Sequence, residues 1–139
     1  MTGLTDGGYD LQPMRIVIAD DERDAADTLA ALLETEGHSV RAVYSGRDAL
    51  YAAAHFAPDV ILLDVGMPGI SGYETARRLR ERYAEECPML VAVTGWKKAS
   101  DKILATIVGF DQHLAKPYQP GELLAALARA TPRKPAPSG

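Results

Sequence analysis

The sequence predicts an α/β fold: one open, doubly wound parallel sheet of five strands, with five helices distributed over its two faces. Three observations predict it. Strand-like and helix-like segments alternate five times along the chain. Three of the strand candidates are continuous apolar runs, as strands are when helices cover both faces of a sheet. The polar residues Asp20-Asp21, Asp64, Thr94 and Lys116 stand where such strands end.

Taken in order, residues Met1 to Pro13 are rich in Gly, Thr and Asp and are expected as a mobile arm. The first strand, Arg15–Ala19, holds Ile16-Val17-Ile18 and runs into Asp20-Asp21. The first helix starts near Glu22, with Ala25, Ala26, Leu29, Leu32 and Leu33 on one stripe and Arg23, Asp24, Asp27 and Glu34 away from it. Gly37 is placed to close that helix, since glycine readily takes the left-handed conformation of a C′ residue. The second strand is Ser39–Ala42, followed by a helix from near Gly46. The third strand, Val60–Leu63, leads to Asp64 and the loop Val65-Gly66-Met67-Pro68-Gly69-Ile70-Ser71, and a helix from near Gly72 follows. The fourth strand, Leu90–Val93, meets Thr94, and a helix is expected near Ala99. The fifth strand, Gln112–Ala115, meets Lys116. The last helix runs from Pro120 to near Arg129, with Leu123, Leu124 and Leu127 as its apolar side. The domain thus spans 14–130, and the Pro-rich stretch 131–139 is expected as a flexible tail.

A chain of 139 residues suits one domain with a proper core and is short for two. Its 19 acids against 15 bases give a net charge of −4, which lacks the field that drives non-specific nucleic-acid binding. Direct nucleic-acid binding is therefore not expected. The single cysteine, Cys87, allows no intramolecular disulfide, and no His or second Cys completes a motif around it. His38 and His55 also lack a pairing that suggests metal or catalysis. No basic and apolar leader opens the chain, and no run approaches the roughly 18 apolar residues of a membrane span, so a cytoplasmic protein without membrane contact is expected.

In open parallel sheets, ligands bind outside the carboxyl ends of the strands. Asp20-Asp21, Asp64, Thr94 and Lys116 fall at the ends of the first, third, fourth and fifth strands, so residues nearly a hundred positions apart converge. Carboxylates brought together repel unless a cation intervenes. Oxygen ligands suit Mg2+, which can screen an incoming phosphoryl group and orient it. Asp64 is then placed as a nucleophile that forms an aspartyl phosphate. Each residue also has a plain alternative. The Asp pair can serve a helix start, Asp64 an Asx turn, Thr94 a loop, and Lys116 a solvated surface.

Asp20-Asp21-Glu22, Leu62-Leu63-Asp64-Val65-Gly66-Met67-Pro68 with Gly72, Val93-Thr94-Gly95 and Lys116-Pro117 resemble the receiver domain of two-component response regulators. The resemblance covers about Met14 to Arg129 and implies a flavodoxin-like fold with strand order 2-1-3-4-5. It implies that Asp64 accepts phosphate from phosphohistidine on a histidine kinase or histidine phosphotransfer domain. It further implies Mg2+ held by Asp21, by Asp20 partly through water, by Asp64 and by the Gly66 carbonyl. Lys116 and the Thr94 hydroxyl would contact phosphoryl oxygens, and the Lys116–Pro117 bond would be cis. Thr94 and His113 would form the switch, redirecting a surface that includes Lys102, Thr106 and Gln119. Such a domain signals and is not a turnover enzyme; a phosphorylation-dependent dimer and an unidentified downstream protein target are compatible with it. The donor would dock near the first helix and the loop carrying Met67 and Pro68.

Two positions depart from common receiver patterns. His113 stands where a Tyr or Phe is frequent, and Trp96 lies two residues after Thr94, where it can shield the phosphate or pack on a helix. Lys97-Lys98 next to it form a docking patch or a solvated helix start. Only about ten residues follow the last helix, so the expectation is a stand-alone receiver or the receiver of a hybrid sensor kinase. The Phe110-Asp111-x-His113-Leu114-x-Lys116-Pro117 stretch resembles receivers attached to hybrid sensor kinases, and some stand-alone receivers, more weakly than the core motifs match. A phospho-independent receiver-like protein-binding module is the alternative function. A flavodoxin-like cofactor binder would want a phosphate-cradling loop where this chain has Asp20-Asp21-Glu22. An aspartate-nucleophile phosphatase would usually carry a second Asp where this chain has Gly66.

Overall fold

Strands that are apolar on both sides need helices on both sides, and the chain arranges them so. A computed structural model describes residues 11–95 and 108–130. The strands are β1 (Arg15–Ala19), β2 (Ser39–Val43), β3 (Val60–Asp64), β4 (Met89–Thr94) and β5 (Gln112–Ala115). The helices are α1 (Arg23–Thr35), α2 (Gly46–Phe56), α3 (Gly72–Tyr83) and the C-terminal α4 (Pro120–Ala128). All pairings are parallel, in the order β2-β1-β3-β4-β5. This is the predicted doubly wound sheet. The helix expected near Ala99, with Trp96, Lys97, Lys98, Lys102 and Thr106, lies outside the described residues, as do 1–10 and 131–139.

The period-2 alternation of each strand divides the core in two. Ile16, Ile18, Leu62, Val91 and Val93 face α1 and α4, where Ala26, Leu33, Leu123 and Leu127 cover them. Val17, Ile61, Leu63, Leu90 and Ala92 face α2 and α3, where Ala49, Phe56, Ala76 and Leu79 cover them. The chain steps one way from β1 to β2 and the other way from β2 to β3, so right-handed crossovers put α1 and α2 on opposite faces. Leu33, Leu62, Leu79 and Leu127 are at most 1% exposed, and each contributes about 1.5–3 kcal/mol of burial.

The stripe predicted for α1 is wider than the contact it makes. Ala26, Ala30 and Leu33 are buried, Leu29 is half-buried, and Ala25 and Leu32 face solvent, with Leu32 41% exposed. Ala25 and Leu32 flank the packed line of Ala26, Ala30 and Leu33 and are a correction to the expected stripe. Gly37, in contrast, takes φ +102° and bonds its N–H to the Glu34 carbonyl at 3.0 Å, closing the helix as expected. Leu11, inside the expected arm, packs on the α1-side core. Met14 N–H donates to buried His38 Nδ1 at 3.1 Å, and burial lowers the His38 pKa, consistent with a neutral acceptor. Cys87 is half-buried against the other core.

Helix starts are specified locally. Ser45 Oγ accepts from Asp48 N–H at 3.0 Å, Ser71 Oγ from Glu74 N–H at 3.2 Å, and Gln119 with Glu122 forms a capping box on α4. The β3–α3 connection is tighter still. A Cβ on Gly72 would lie 2.5 Å from Val65 Cα and 2.7 Å from the Asp64 carbonyl, so the backbone directly behind Asp64 leaves no space for a side chain.

Both sheet edges are short. β2 has five residues with Arg41 exposed on it, and β5 has four. The β5 strand is fastened at its start: Asp111 exchanges bonds with Leu90, its N–H to the Leu90 carbonyl and its Oδ2 from the Leu90 N–H, both at 2.8 Å. Arg80 of α3 reaches the same carboxylate at 2.5 Å and the Gly109 carbonyl at 2.7 Å. Among the described residues, no helix is long and apolar enough to cross a membrane.

The Gly72 contact gives a direct test. Gly72→Ala should destabilise the fold by about 2 kcal/mol or more, because backbone rather than a flexible side chain must move. Gly66→Ala, whose Cβ would meet only Asp64 Oδ1 at an ordinary 3.5 Å, should cost under about 1 kcal/mol. Urea midpoints of the two variants measure the difference; equal midpoints would refute the close-approach argument.

Candidate functional site

Parallel strands deliver their carboxyl ends to one rim of the sheet, and the polar residues stand on that rim. Asp64 is the last residue of β3 and Thr94 the last of β4, one residue further inside the strands than predicted. Asp20 follows β1, and Lys116 follows β5, where its N–H donates to the Thr94 carbonyl at 2.8 Å. The Lys116–Pro117 bond is cis, as the resemblance implied.

Asp20 and Asp64 are held alike. Asp20 Oδ1 accepts the Glu22 N–H at 2.9 Å, and Asp64 Oδ1 accepts the Gly66 N–H at 2.9 Å, each an Asx-type bond two residues onward. The plain turn role of these residues is therefore real, and it uses one carboxylate oxygen. The other oxygen of each faces Lys116, whose Nζ lies 3.1 Å from Asp20 Oδ2 and 3.7 Å from Asp64 Oδ2. Asp20 is buried, Asp64 half-buried and Asp21 exposed, and the three offer carboxylate oxygens within 4.8 Å of one another. Thr94 is 8% exposed at the same rim. Half-buried His113 sits on β5, opposite Ala92 in the register and on the other face from buried Leu114.

The electrostatics follow from this packing. Burial raises the Asp64 pKa, and the bond from Gly66 and the Lys116 charge only partly offset it, while Asp20 pushes it further up. Burial opposes the Lys116 charge, yet the bond to Asp20 and the fields of Asp64 and Asp20 outweigh it, so its pKa rises. Two carboxylates at this separation repel by about 3–4 kcal/mol at an effective dielectric of about 20, and the ammonium compensates them. The donor set is all oxygen, partly exposed and net negative, which fits a hard divalent cation such as Mg2+. Asp20, Asp21 and Asp64 are the side chains that would hold it.

The structure thus brings together Asp20, Asp21, Asp64 and Lys116, with Thr94 on the same rim. Gly66 is exposed beside Asp64, its N–H turned to that carboxylate. Two further points were not read from the sequence. Met67 is 4% exposed and belongs to the α2–α3 core, so of the expected docking pair only Pro68 faces outward. Tyr118 lines the cleft beside the site together with Asp20, Asp64 and Lys116, and burial raises the pKa of its phenol. An aromatic residue two places after a strand-end lysine was the available signal.

The sequence pattern described as the response regulator receiver domain matches residues 16–128, the whole span from β1 to the end of α4. The chain belongs to this family. Solved receivers and regulators agree in fold. The chemotaxis protein CheY4 of Vibrio cholerae is 27% identical, with a TM-score of 0.79, covering 86% of this chain and 100% of that one. A response regulator, so described provisionally, from Chloroflexus aurantiacus is 33% identical, with a TM-score of 0.75 over 85% and 100%. The BeF3-activated N-terminal receiver domain of Klebsiella pneumoniae RstA is 28% identical, with a TM-score of 0.75 over 81% and 94%. As a receiver, the chain is a signalling domain of two-component systems.

The raised Asp64 pKa has a stability consequence. A carboxyl whose folded pKa lies above its unfolded value adds stability below the ordinary carboxylate range and loses it as pH rises through the folded value. At pH 7 the ionised group is a net cost in the metal-free protein. Asp64→Asn keeps the acceptor for Gly66 and removes the charge, so it should melt higher than the wild type at pH 7, at about 3–5 °C per kcal/mol. The gap should close as pH falls toward about 4. Thermal melts across that range in EDTA check it, and a wild type more stable than the variant at pH 7 contradicts it.

Proposed function

We propose that this receiver is a phosphoacceptor: Asp64 takes a phosphoryl group from phosphohistidine on a histidine kinase or a histidine phosphotransfer domain. The observation that carries the reading is the position of Asp64. It ends the central strand, with one oxygen anchored by the Gly66 N–H and the other 3.7 Å from the Lys116 ammonium, inside the cluster with Asp20 and Asp21.

In this reading the free Asp64 oxygen attacks phosphorus in line, an O–P bond forms, and the P–N bond to imidazole breaks. The imidazole leaves with the bonding pair and regains a proton. Asp21, Asp64 and the Gly66 carbonyl, with Asp20 partly through water, would hold Mg2+, which when bound would screen the phosphoryl charge from the acidic pocket. Lys116 trades its contacts with Asp20 and Asp64 for a phosphoryl oxygen, a charge-assisted exchange that keeps the ammonium paired throughout. The Thr94 hydroxyl binds another phosphoryl oxygen, and its displacement lets the His113 ring turn inward, biasing the β5–α4 surface toward a protein target. Exposed Ala25 in the first turn of α1, beside this rim, and exposed Leu32 two turns further along the helix offer an apolar surface on which the donor docks. That one relative is known in a BeF3-activated form supports the same chemistry here, since its receiver shares this fold over most of both chains.

Intact mass after incubation with Mg2+ and acetyl phosphate tests the proposal. A single phosphoryl adduct should form, require Mg2+, and be absent from Asp64→Asn. Lys116→Ala should slow its formation by roughly tenfold or more, as removal of a charge stabilising a developing oxyanion does. No adduct on the wild type, together with no binding of beryllofluoride, would favour the phospho-independent binding module.

A further inference from the structure

Lys116 must present its ammonium to two carboxylates from the end of a flexible four-carbon stem. Its backbone is fixed by the bond from its N–H to the Thr94 carbonyl, but nothing in that bond chooses a side-chain rotamer. A free stem loses rotamer entropy each time the ammonium is placed. The structure supplies a wall at this point. Tyr118 is half-buried, packs on the α1-side core, and shares with Lys116, Asp20 and Asp64 a cleft of about 80 Å3 whose far side is Ala25 and Leu29 of α1. A space of that size admits a few waters beside the ion pair.

We propose that Tyr118 is a positioning residue for Lys116, its ring restricting the lysine stem and limiting the α1 flank of the Lys116–Asp20 pair to the few waters the cleft holds. Among the described residues the phenol hydroxyl makes no hydrogen bond, so the ring, rather than the hydroxyl, does the positioning. Shortening the side chain opens the cleft, frees the stem and lets water compete at the 3.1 Å contact with Asp20. The consequence for phosphoryl transfer rests on the phosphoacceptor reading; the consequence for the ammonium does not.

The experiment compares the full chain with Tyr118→Phe and Tyr118→Ala, using two readouts at fixed pH. The first is hydrogen exchange of the Lys116 ammonium, followed by 15N NMR in the absence of metal. The second is the rate of phosphoryl adduct formation with acetyl phosphate and Mg2+. In Tyr118→Ala the ammonium should exchange at least about fivefold faster and the adduct should form about tenfold more slowly, as expected when a reacting group loses its placement. Tyr118→Phe should match the wild type within about twofold in both, since it retains the ring. Tyr118→Leu, which keeps apolar packing on α1 but lacks the planar reach, should behave as the alanine variant and replaces it if that variant melts early. Unchanged ammonium exchange in the alanine or leucine variant overturns the proposal, as does a phenylalanine variant that behaves like alanine. A wild type that forms no adduct defeats the phosphoacceptor reading alone, and the exchange comparison still decides the role of Tyr118.

Discussion

The Lys116 ammonium holds together a rim that would otherwise push itself apart. Asp20 and Asp64 come from neighbouring strands, and Lys116 from the far edge of the sheet, 96 residues after Asp20 in sequence. A parallel sheet gathers such groups by topology alone, because every strand delivers its carboxyl end to the same side. Topology brings the carboxylates together but does nothing to balance them. Their mutual repulsion, about 3–4 kcal/mol at an effective dielectric of about 20, is comparable to a large share of a domain's net stability. The pair is partly open to water, so its own net contribution to stability is modest. Its weight lies in what its loss would leave: two unbalanced carboxylates at the centre of the rim.

The packing beneath the rim explains how the carboxylates keep their places. Asp64 ends a strand whose four preceding residues are fully or almost fully buried, so its backbone is fixed from below by both cores. From behind it is fixed by the Gly72 approach, and from above by the Gly66 N–H. Asp20 is fixed in the same manner by β1 and the Glu22 N–H. The N-terminus of α1 accordingly goes without a side-chain cap of its own, while α2, α3 and α4 are capped by their own residues. Local helix stability is given up where the chain needs a carboxylate turned outward to the rim, a conflict of the kind found at functional sites.

Most of the fold could be read from the sequence because its signals are local. Continuous apolar runs marked β1, β3 and β4, and Gly37, Gly46, Gly72 and Pro120 marked helix ends. Asp20, Asp64 and Thr94 were legible because each ends such a run, and Lys116 because it follows the fifth strand candidate. What escaped depends on partners far away in the chain. Ala25 and Leu32 share a stripe with Ala26 and Leu33, and only the breadth of the facing sheet decides which of them is covered. Met67 reads as a loop residue until α2 and α3 are placed around it. The Arg80–Asp111 bond joins residues 31 positions apart with no motif to announce it. Tyr118 gains its place beside Lys116 only when α1 supplies the opposite wall.

The two edges of the sheet bear on how copies of this domain can associate. A sheet edge is a row of unpaired backbone donors and acceptors, and strand addition is the simplest way for two copies to fuse. Here one edge is five residues long with Arg41 exposed on it, and the other is four residues long with an Arg80–Asp111 ion pair at its start. Short, charged edges make poor templates for a continuous intermolecular sheet. Any association between copies through the sheet would therefore have to begin on an edge only four or five residues long, whereas a contact between helix faces leaves the backbone hydrogen bonds of both copies as they are.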